Sequence, residues 1–250
     1  ACVLFSRRPA AVVVNSEAGK RDHQRMGYRP RAWVVIPNGI DGDRFRPDAQ
    51  AGEKIRRELG IEEGALVLGC VGRDHPVKRH GMIIEAVARL MPEFPHLRLL
   101  MIGEGLDRRN HDLTSRIEAL GLSGRVDLVG GQEEVWRWMP ALDILISAST
   151  TEGFPNVVGE AMACGVPCVV TDAGDSALLV GEAGAVVPVD GVEGLADRIR
   201  GMERQSPQER RELGARARAR VLEHYSVPRM IASYERLYDE ILQGRGKGVA

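Results

Sequence analysis

No stretch of this 250-residue sequence approaches the run of about 20 apolar residues that a helix needs to span a bilayer, so no transmembrane helix is expected. Net charge is nearly absent too, with 34 basic side chains against 35 acidic ones. No global field draws the chain to nucleic acid or to an acidic membrane, and no nucleic-acid partner is expected. Two small arginine groups, Arg7 with Arg8 and Arg216 with Arg218 and Arg220, read as solvated surface. The opening ACVLFSRRPA has neither the charged start nor the length of a signal peptide. It does not begin with Met and reads as though cut from something longer. Paired cysteines are missing as well: Cys164 and Cys168 have three residues between them, not the two of a redox or zinc pair, and no histidine pair stands nearby. With Cys2 and Cys70 they read as small buried hydrophobes or free thiols in a reducing, cytoplasmic compartment. There is no internal repeat and no metal-ligand cluster. A GxxxxGK[ST] sequence is absent, which removes the P-loop, and no strand-linked GxGxxG occurs.

What the sequence does contain is an alternation. Short β-branched apolar runs fall at Ala11–Val14, Trp33–Ile36, Leu66–Val71, Leu97–Ile102, Val126–Val129, Ile144–Ser147, Cys168–Thr171 and Ala185–Val187. Helical patterns lie between and after them, at Glu17–Met26, Gly81–Met91, Asp112–Leu120, Trp136–Ala141, Val157–Cys164, Val192–Met202, Pro207–His224 and Pro228–Leu242. Continuous apolar strands alternating with helices predict an α/β fold with a parallel sheet covered on both faces. The units from Leu66 to Val187 make one doubly wound, Rossmann-like domain. The front end is a single βαβ-like piece, followed by the Pro-, Gly- and Asp-rich PNGIDGDRFRPD. One such piece cannot cover both faces of its sheet, so it reads as the tail of a second Rossmann-like domain. The expected divisions are residues 1–47 for that remnant and linker, 48–224 for the doubly wound domain, and 225–250 for a last helix and tail. The apolar face of that helix, Met230 to Ile241, needs a partner, and the GRGKGVA end reads as disordered.

Three loops follow strands at the sheet edge where such folds bind ligands. In Gly72-Arg73-Asp74-His75-Pro76-Val77-Lys78, glycine allows a sharp turn, and Arg73 and Lys78 can converge on a diphosphate. Two surface cations would look the same. In Thr150-Thr151-Glu152-Gly153-Phe154-Pro155-Asn156-Val157, Pro155 suits a helix start whose free N–H groups attract anions. Glu152 and Glu160, seven residues between them, suit a polyhydroxylated ligand, because a carboxylate accepts hydroxyl hydrogen bonds well. In Thr171-Asp172-Ala173-Gly174-Asp175 a pocket wall and a plain turn are equally good readings. Gly103-Glu104-Gly105 and Gly130-Gly131-Gln132 follow strands as well, where glycine lets a flat base approach the backbone. His75 and His80 read as surface histidines, and Asp143 as structural.

The ordered motifs Ile36-Pro37-Asn38-Gly39-Ile40-Asp41, Val71-Gly72-Arg73 with Lys78, and Glu152-Gly153-Phe154-Pro155-Asn156 with Glu160-Ala161-Met162-Ala163-Cys164-Gly165 carry a resemblance. Continued by Pro167, Thr171-Asp172 and Val186-Val187-Pro188, they run from about Val12 to Tyr238. The chain resembles the family-four group of retaining glycosyltransferases, which share the GT-B fold. The resemblance implies a nucleotide-sugar donor, UDP-, GDP- or ADP-linked, and no cofactor or metal. It makes Glu152, Arg73 and Lys78 the catalytic residues, with Arg73 and Lys78 neutralising the donor diphosphate and Glu152 holding the sugar. Glu160 would bind the ribose, backbone N–H groups from Gly153 through Phe154, Pro155 and Asn156 to Val157 would face sugar and phosphate, and the base would lie against Gly103, Glu104 and the Gly130–Val135 loop. Gly72 provides the turn. The last helix would return to the N-terminal domain, of which only the last strand–helix–strand is present. The acceptor, whether glycan, lipid or small molecule, and any peripheral membrane association belong to the absent part. Two other readings stay open: a sugar-nucleotide epimerase on the same fold, and a non-catalytic nucleotide-sugar-binding module.

Overall fold

Each expected apolar run is a strand, its ends shifted by at most a residue, in the computed structural model, which describes residues 2–244. The strands are β1 (Val12–Val14), β2 (Trp33–Val35), β3 (Leu66–Val71), β4 (Leu97–Ile102), β5 (Val126–Gly130), β6 (Ile144–Ser147), β7 (Cys168–Thr171) and β8 (Ala185–Val187). β1 and β2 pair in parallel as a separate two-stranded sheet. The other six form one parallel sheet in the order β5-β4-β3-β6-β7-β8. Strand order therefore reverses between β3 and β6, the position at which doubly wound sheets open a ligand crevice.

Burial explains why the strands read as largely apolar runs, interrupted only by Arg98 of β4 and Asp127 of β5, which pair with each other at 2.7 Å. In β3, Leu66, Leu68 and Cys70 join one core cluster while Val67 joins the other. The first cluster is closed by α4 (His80–Leu90), α5 (His111–Ala119) and α9 (Val192–Glu203). The second is closed by α7 (Asn156–Ala163), α8 (Ser176–Val180) and α10 (Pro207–His224). Leu68, Leu99, Leu100 and Met101 are wholly buried, each contributing about 2 kcal/mol by removal from water. The remaining helices are α1 (Cys2–Phe5), α2 (Glu17–Arg25), α3 (Ala49–Glu58), α6 (Val135–Trp138) and α11 (Val227–Leu242). Gly244 ends the described residues, and the rest of the expected disordered tail lies outside them.

Local chemistry sets the helix starts. Ser16 accepts from the Gly19 N–H to open α2, and Asp48 from Ala51 to open α3. Ser206 and Glu209 form a reciprocal capping box at α10, with Pro207 in its first turn. Helices α1, α3 and α8 were not expected. Only Gly52 and Ile55 of α3 are buried, so its apolar stripe is thin. α8 is five residues long and follows a segment read as a turn.

One further expectation is corrected. Arg218 and Arg220 are not solvated charges: Arg218 donates to the carbonyls of Gly42, Phe45 and Ala163, and Arg220 to those of Leu178 and Leu179. They lie where α10 passes the linker, the end of α7 and α8, and the guanidinium fork supplies several donors at once. The cysteines agree with expectation: Cys70, Cys164 and Cys168 are buried and free, Cys2 is exposed and free, and burial pushes the Cys70 and Cys164 thiols up to about 12. Asp143 is structural, accepting from the Val67 N–H at 2.7 Å and from Arg56 at 2.9 Å. The first turn of α11 leans on the linker, where Gly39 N–H meets the Met230 sulfur and Ile40 bridges to Ser226. Further along, Ile231 and Tyr238 are exposed.

Candidate functional site

The crevice at the β3/β6 reversal is built from loops that continue the sheet. Gly72, Gly103 and Gly130 stand at the carboxyl ends of β3, β4 and β5, and they are hydrogen-bonded in series. Gly72 N–H donates to Ile102 at 2.9 Å, Gly103 N–H to Gly130 at 2.9 Å, and Gly130 N–H to Leu106 at 2.8 Å. Their φ values of +154°, +153° and +78° favour glycine. Space demands it at Gly103, where a Cβ would lie 1.9 Å from the Gly72 carbonyl oxygen. The expected role of admitting a flat base is thus joined by one of packing loop on loop.

A short 3₁₀ turn, Pro76–Lys78, carries Lys78 back over Gly72. Lys78 Nζ lies 2.5 Å from Glu152 Oε1, and the Ser149 hydroxyl donates to the same oxygen at 2.7 Å. Thr171 Oγ1 donates to the Ser149 carbonyl at 2.5 Å, which fixes this support to β7. The sequence suggested separate tasks for Lys78 and Glu152; in the free chain they neutralise each other. Arg73 is exposed and has no ion-pair partner among the described residues. Its neighbour Arg79, which sequence reasoning passed over, holds φ +52° and donates to the Val189 carbonyl, locking the end of this loop toward the β8 exit. No sequence signal marks that conformation, which is uncommon outside glycine.

The second loop is tied to the first by Thr150 N–H, which donates to the Val77 carbonyl at 2.8 Å. Phe154 is buried, its ring 5.5 Å from that of Tyr225, so its side chain serves the core and only its backbone is available to a ligand. Pro155 is the N-cap of α7 rather than its first residue. The N–H groups of Gly153, Phe154, Asn156 and Val157 make no hydrogen bond within the chain among the described residues. They are the free donors an anion-binding helix start requires. The Asn156 side chain accepts from Asn38 at 2.8 Å. Gly174 closes the loop from behind: at φ +61°, a Cβ there would lie 2.1 Å from the Glu152 carbonyl oxygen.

Glu160 sits one turn into α7, half-buried, without a hydrogen-bond partner among the described residues. Burial raises its pKa above the usual carboxylate value of 4.5. The folded chain therefore holds that proton more tightly than the unfolded one. Ionising Glu160 costs stability as pH rises through the window between the two values. Glu160→Gln should melt at a higher temperature than the parent at pH 7 while losing affinity for nucleotide ligands. Thermal scans with and without ligand check both, and a variant that is less stable, or binds as before, contradicts the assignment.

On the base side, Glu104 is exposed and its carbonyl accepts from Asp74 N–H at 2.7 Å. Val135 opens α6 half-buried against the second core cluster. His80 corrects an expectation: it is 4 % exposed, not a surface residue, because the first residue of α4 turns toward the preceding loop, where it faces Asp74 at 3.2 Å. His75 is exposed, its Nδ1 accepting from Val77 N–H at 3.3 Å. The third loop is more than a turn: the Asp175 carboxylate, 6 % exposed, accepts from the Glu17 and Ala18 N–H groups at 2.7 and 2.9 Å. A residue after β7 thereby caps α2, which belongs to the other sheet. A cavity of about 720 Å³ between α3 and the loop into α6 is lined by Gly131, Gln132, Glu133 and Glu134 of the loop expected to face the base, and by none of Arg73, Lys78, Glu152 or Glu160. Among the described residues no cluster of three or more His, Cys, Asp or Glu could hold a metal ion, and no helix is long and apolar enough to cross a membrane.

Known proteins share this fold. In the crystal structure of Anabaena Alr3699/HepE in complex with UDP-glucose, the matching region has 26% sequence identity and a TM-score of 0.85, covering 95% of this chain and 66% of that one. A D-inositol 3-phosphate glycosyltransferase of Streptomyces bingchenggensis is 32% identical over 238 residues, 88% of this chain and 50% of that protein. The N-acetyl-alpha-D-glucosaminyl L-malate synthase of Bacillus anthracis is 28% identical over 197 residues, 78% of this chain and 51% of that enzyme. The chain thus spans about half the length of the curated relatives it matches. Residues 65–204, most of the six-stranded sheet and its helices, match the family described as glycosyl transferases group 1. On the fold, the family match and the relatives together, the chain belongs to the group 1 glycosyl transferases, with the α/β architecture of the GT-B type.

Proposed function

We propose that this chain is the donor-binding half of a retaining hexosyltransferase that takes its sugar from a nucleoside diphosphate without a metal ion. The observation that supports the reading is the carboxyl edge of the sheet around the β3/β6 reversal, whose loops and following helix carry an exposed arginine, a lysine–glutamate pair, a partnerless half-buried carboxylate and free helix-start N–H groups. A protein of the same fold holds UDP-glucose in its crystal structure, which supports a nucleotide sugar as the ligand. In this reading residues 1–47 and 225–250 belong with the acceptor half, and residues 48–224 bind the donor. Retention is carried over from the family resemblance. Acceptor choice, and any contact with a membrane surface, lie with the acceptor half in a cytoplasmic enzyme.

The chemistry follows from where charge gathers. As the bond between the anomeric carbon and the diphosphate oxygen breaks, negative charge builds on the leaving diphosphate. In this reading Arg73, Lys78 and the N–H groups at the start of α7 stabilise it, and the chain's contribution is positional and electrostatic. Glu152 accepts from sugar hydroxyls and Glu160 from those of the ribose.

The test is thermal stabilisation and titration of the chain with UDP, GDP, ADP and their sugar conjugates. One base should stabilise it by about 2.7 kcal/mol at a hundredfold excess over its dissociation constant. Arg73→Ala should weaken that ligand at least about tenfold, the worth of a charge-assisted hydrogen bond. Unchanged affinity in Arg73→Ala would remove the arginine from the diphosphate site, and no stabilisation by any of the nucleotides would remove the donor reading.

A further inference from the structure

The loops that would read base and diphosphate touch along their length. Gly72 stands against Gly103, and at Gly105, with φ +78°, a Cβ would lie 2.9 Å from the Asp74 Cβ. Asp74 is the hub of the contact. Its N–H donates to the Glu104 carbonyl at 2.7 Å, and its Oδ2 accepts from Asn110 Nδ2 at 2.8 Å. Asn110 also donates to the Gly105 carbonyl at 2.8 Å and caps α5 by accepting from Leu113 N–H. Asp74 Oδ1 faces His80 Nδ1 at 3.2 Å. A carboxylate at neutral pH only accepts, so the ring donates through Nδ1–H. That leaves His80 Nε2 buried without a partner. An apolar residue would fill this place without an orphaned nitrogen; the imidazole adds only its bond to Asp74. Asp74, His80 and Asn110 line a cavity of about 310 Å³ that includes none of Gly72, Arg73, Lys78, Glu152 or Glu160. They therefore act beside the crevice rather than in it.

We propose that Asp74, held by His80 and Asn110, is a positioning residue that fixes the β3–α4 loop and the β4–α5 loop at one spacing, so that base and diphosphate are bound by a single rigid unit. The inference rests on the donor-binding reading above. Two halves of a ligand bind together more tightly than apart only when their sites are held at the spacing the ligand imposes. Loss of the hub should therefore harm the joined ligand and spare its parts.

The experiment titrates the parent chain, Asp74→Ala, Asp74→Asn and Asn110→Ala with UDP, GDP and ADP, with uridine, guanosine and adenosine, and with inorganic pyrophosphate. For the base that binds, Asp74→Ala and Asn110→Ala should each weaken the nucleoside diphosphate about tenfold while nucleoside and pyrophosphate stay within about twofold. Asp74→Asn should recover part of the loss. The double variant should be no worse than either single one, since both break the same link. Unchanged nucleoside diphosphate affinity overturns the proposal. An equal fall for all three ligands also overturns it, because that is the mark of a merely structural residue. If the parent binds no nucleoside diphosphate, the donor reading itself fails and takes this inference with it.

Discussion

Alanine at position 103 is expected to destabilise the chain by about 3 kcal/mol and to abolish nucleotide binding. The estimate joins an overpacking cost of about 1–3 kcal/mol to a backbone cost of about 1 kcal/mol for a positive φ. Nothing soft lies in the way of the new methyl group: it would meet the Gly72 carbonyl oxygen at 1.9 Å and the Gly72 carbonyl carbon at 2.5 Å. Relief requires β3 and β4 to part at their carboxyl ends, which is where Arg73 and Lys78 start. A thermal melt should fall by roughly 10 °C for a chain of this size. Gly121→Ala is the control, because its φ of +68° is similarly unfavourable while nothing lies within 4 Å of the added atom. If the two variants melt together, contact between the loops contributes nothing, and the account of Gly103 is wrong.

Asp175→Ala should be nearly as costly, at about 2–3 kcal/mol, and its effect should appear on the other sheet. The carboxylate accepts from two N–H groups at the start of α2, one of them fully buried. Removing it leaves both donors without a partner, each at a cost of about 1 kcal/mol or more. Hydrogen exchange at Glu17 and Ala18 should accelerate well before the six-stranded sheet opens, and proteases should find residues 15–27 more readily. Asp175→Asn, able to accept one of the two bonds, should lie between. Unaltered exchange at those amides would show that Ser16 alone holds the helix start.

The fold was legible because both sheet faces are covered, so the six strands stand out as short, largely apolar runs separated by longer helical patterns. Arg73, Lys78 and Glu152 stood out as candidates because they lie in loops that follow strands, where doubly wound sheets bind ligands, and Glu160 by its spacing in the helix that follows. What escaped notice depends on partners far along the chain. Lys78 meets Glu152 across 74 positions, Asp175 meets Glu17 across 158, and Arg218 meets Phe45 across 173. Composition and periodicity carry no trace of such pairings. His80 looked like a surface histidine because its burial comes from the way the start of α4 turns toward the preceding loop. Helix α3 was hidden by its charge, since a helix that buries one isoleucine looks like a linker.

The pairing of Lys78 with Glu152 bears on which molecules gain by entering the crevice. Half-buried opposite charges can be drawn apart only if each receives a replacement partner, since a lone charge left there is costly. In the proposed site an anion can satisfy the lysine, while the glutamate, left with the Ser149 hydroxyl, needs a second donor such as a sugar hydroxyl. A free phosphate or nucleotide brings the first and not the second; a sugar joined to a diphosphate brings both. The contact that neutralises the empty site would thereby discriminate against spent donor, releasing product once the sugar has gone.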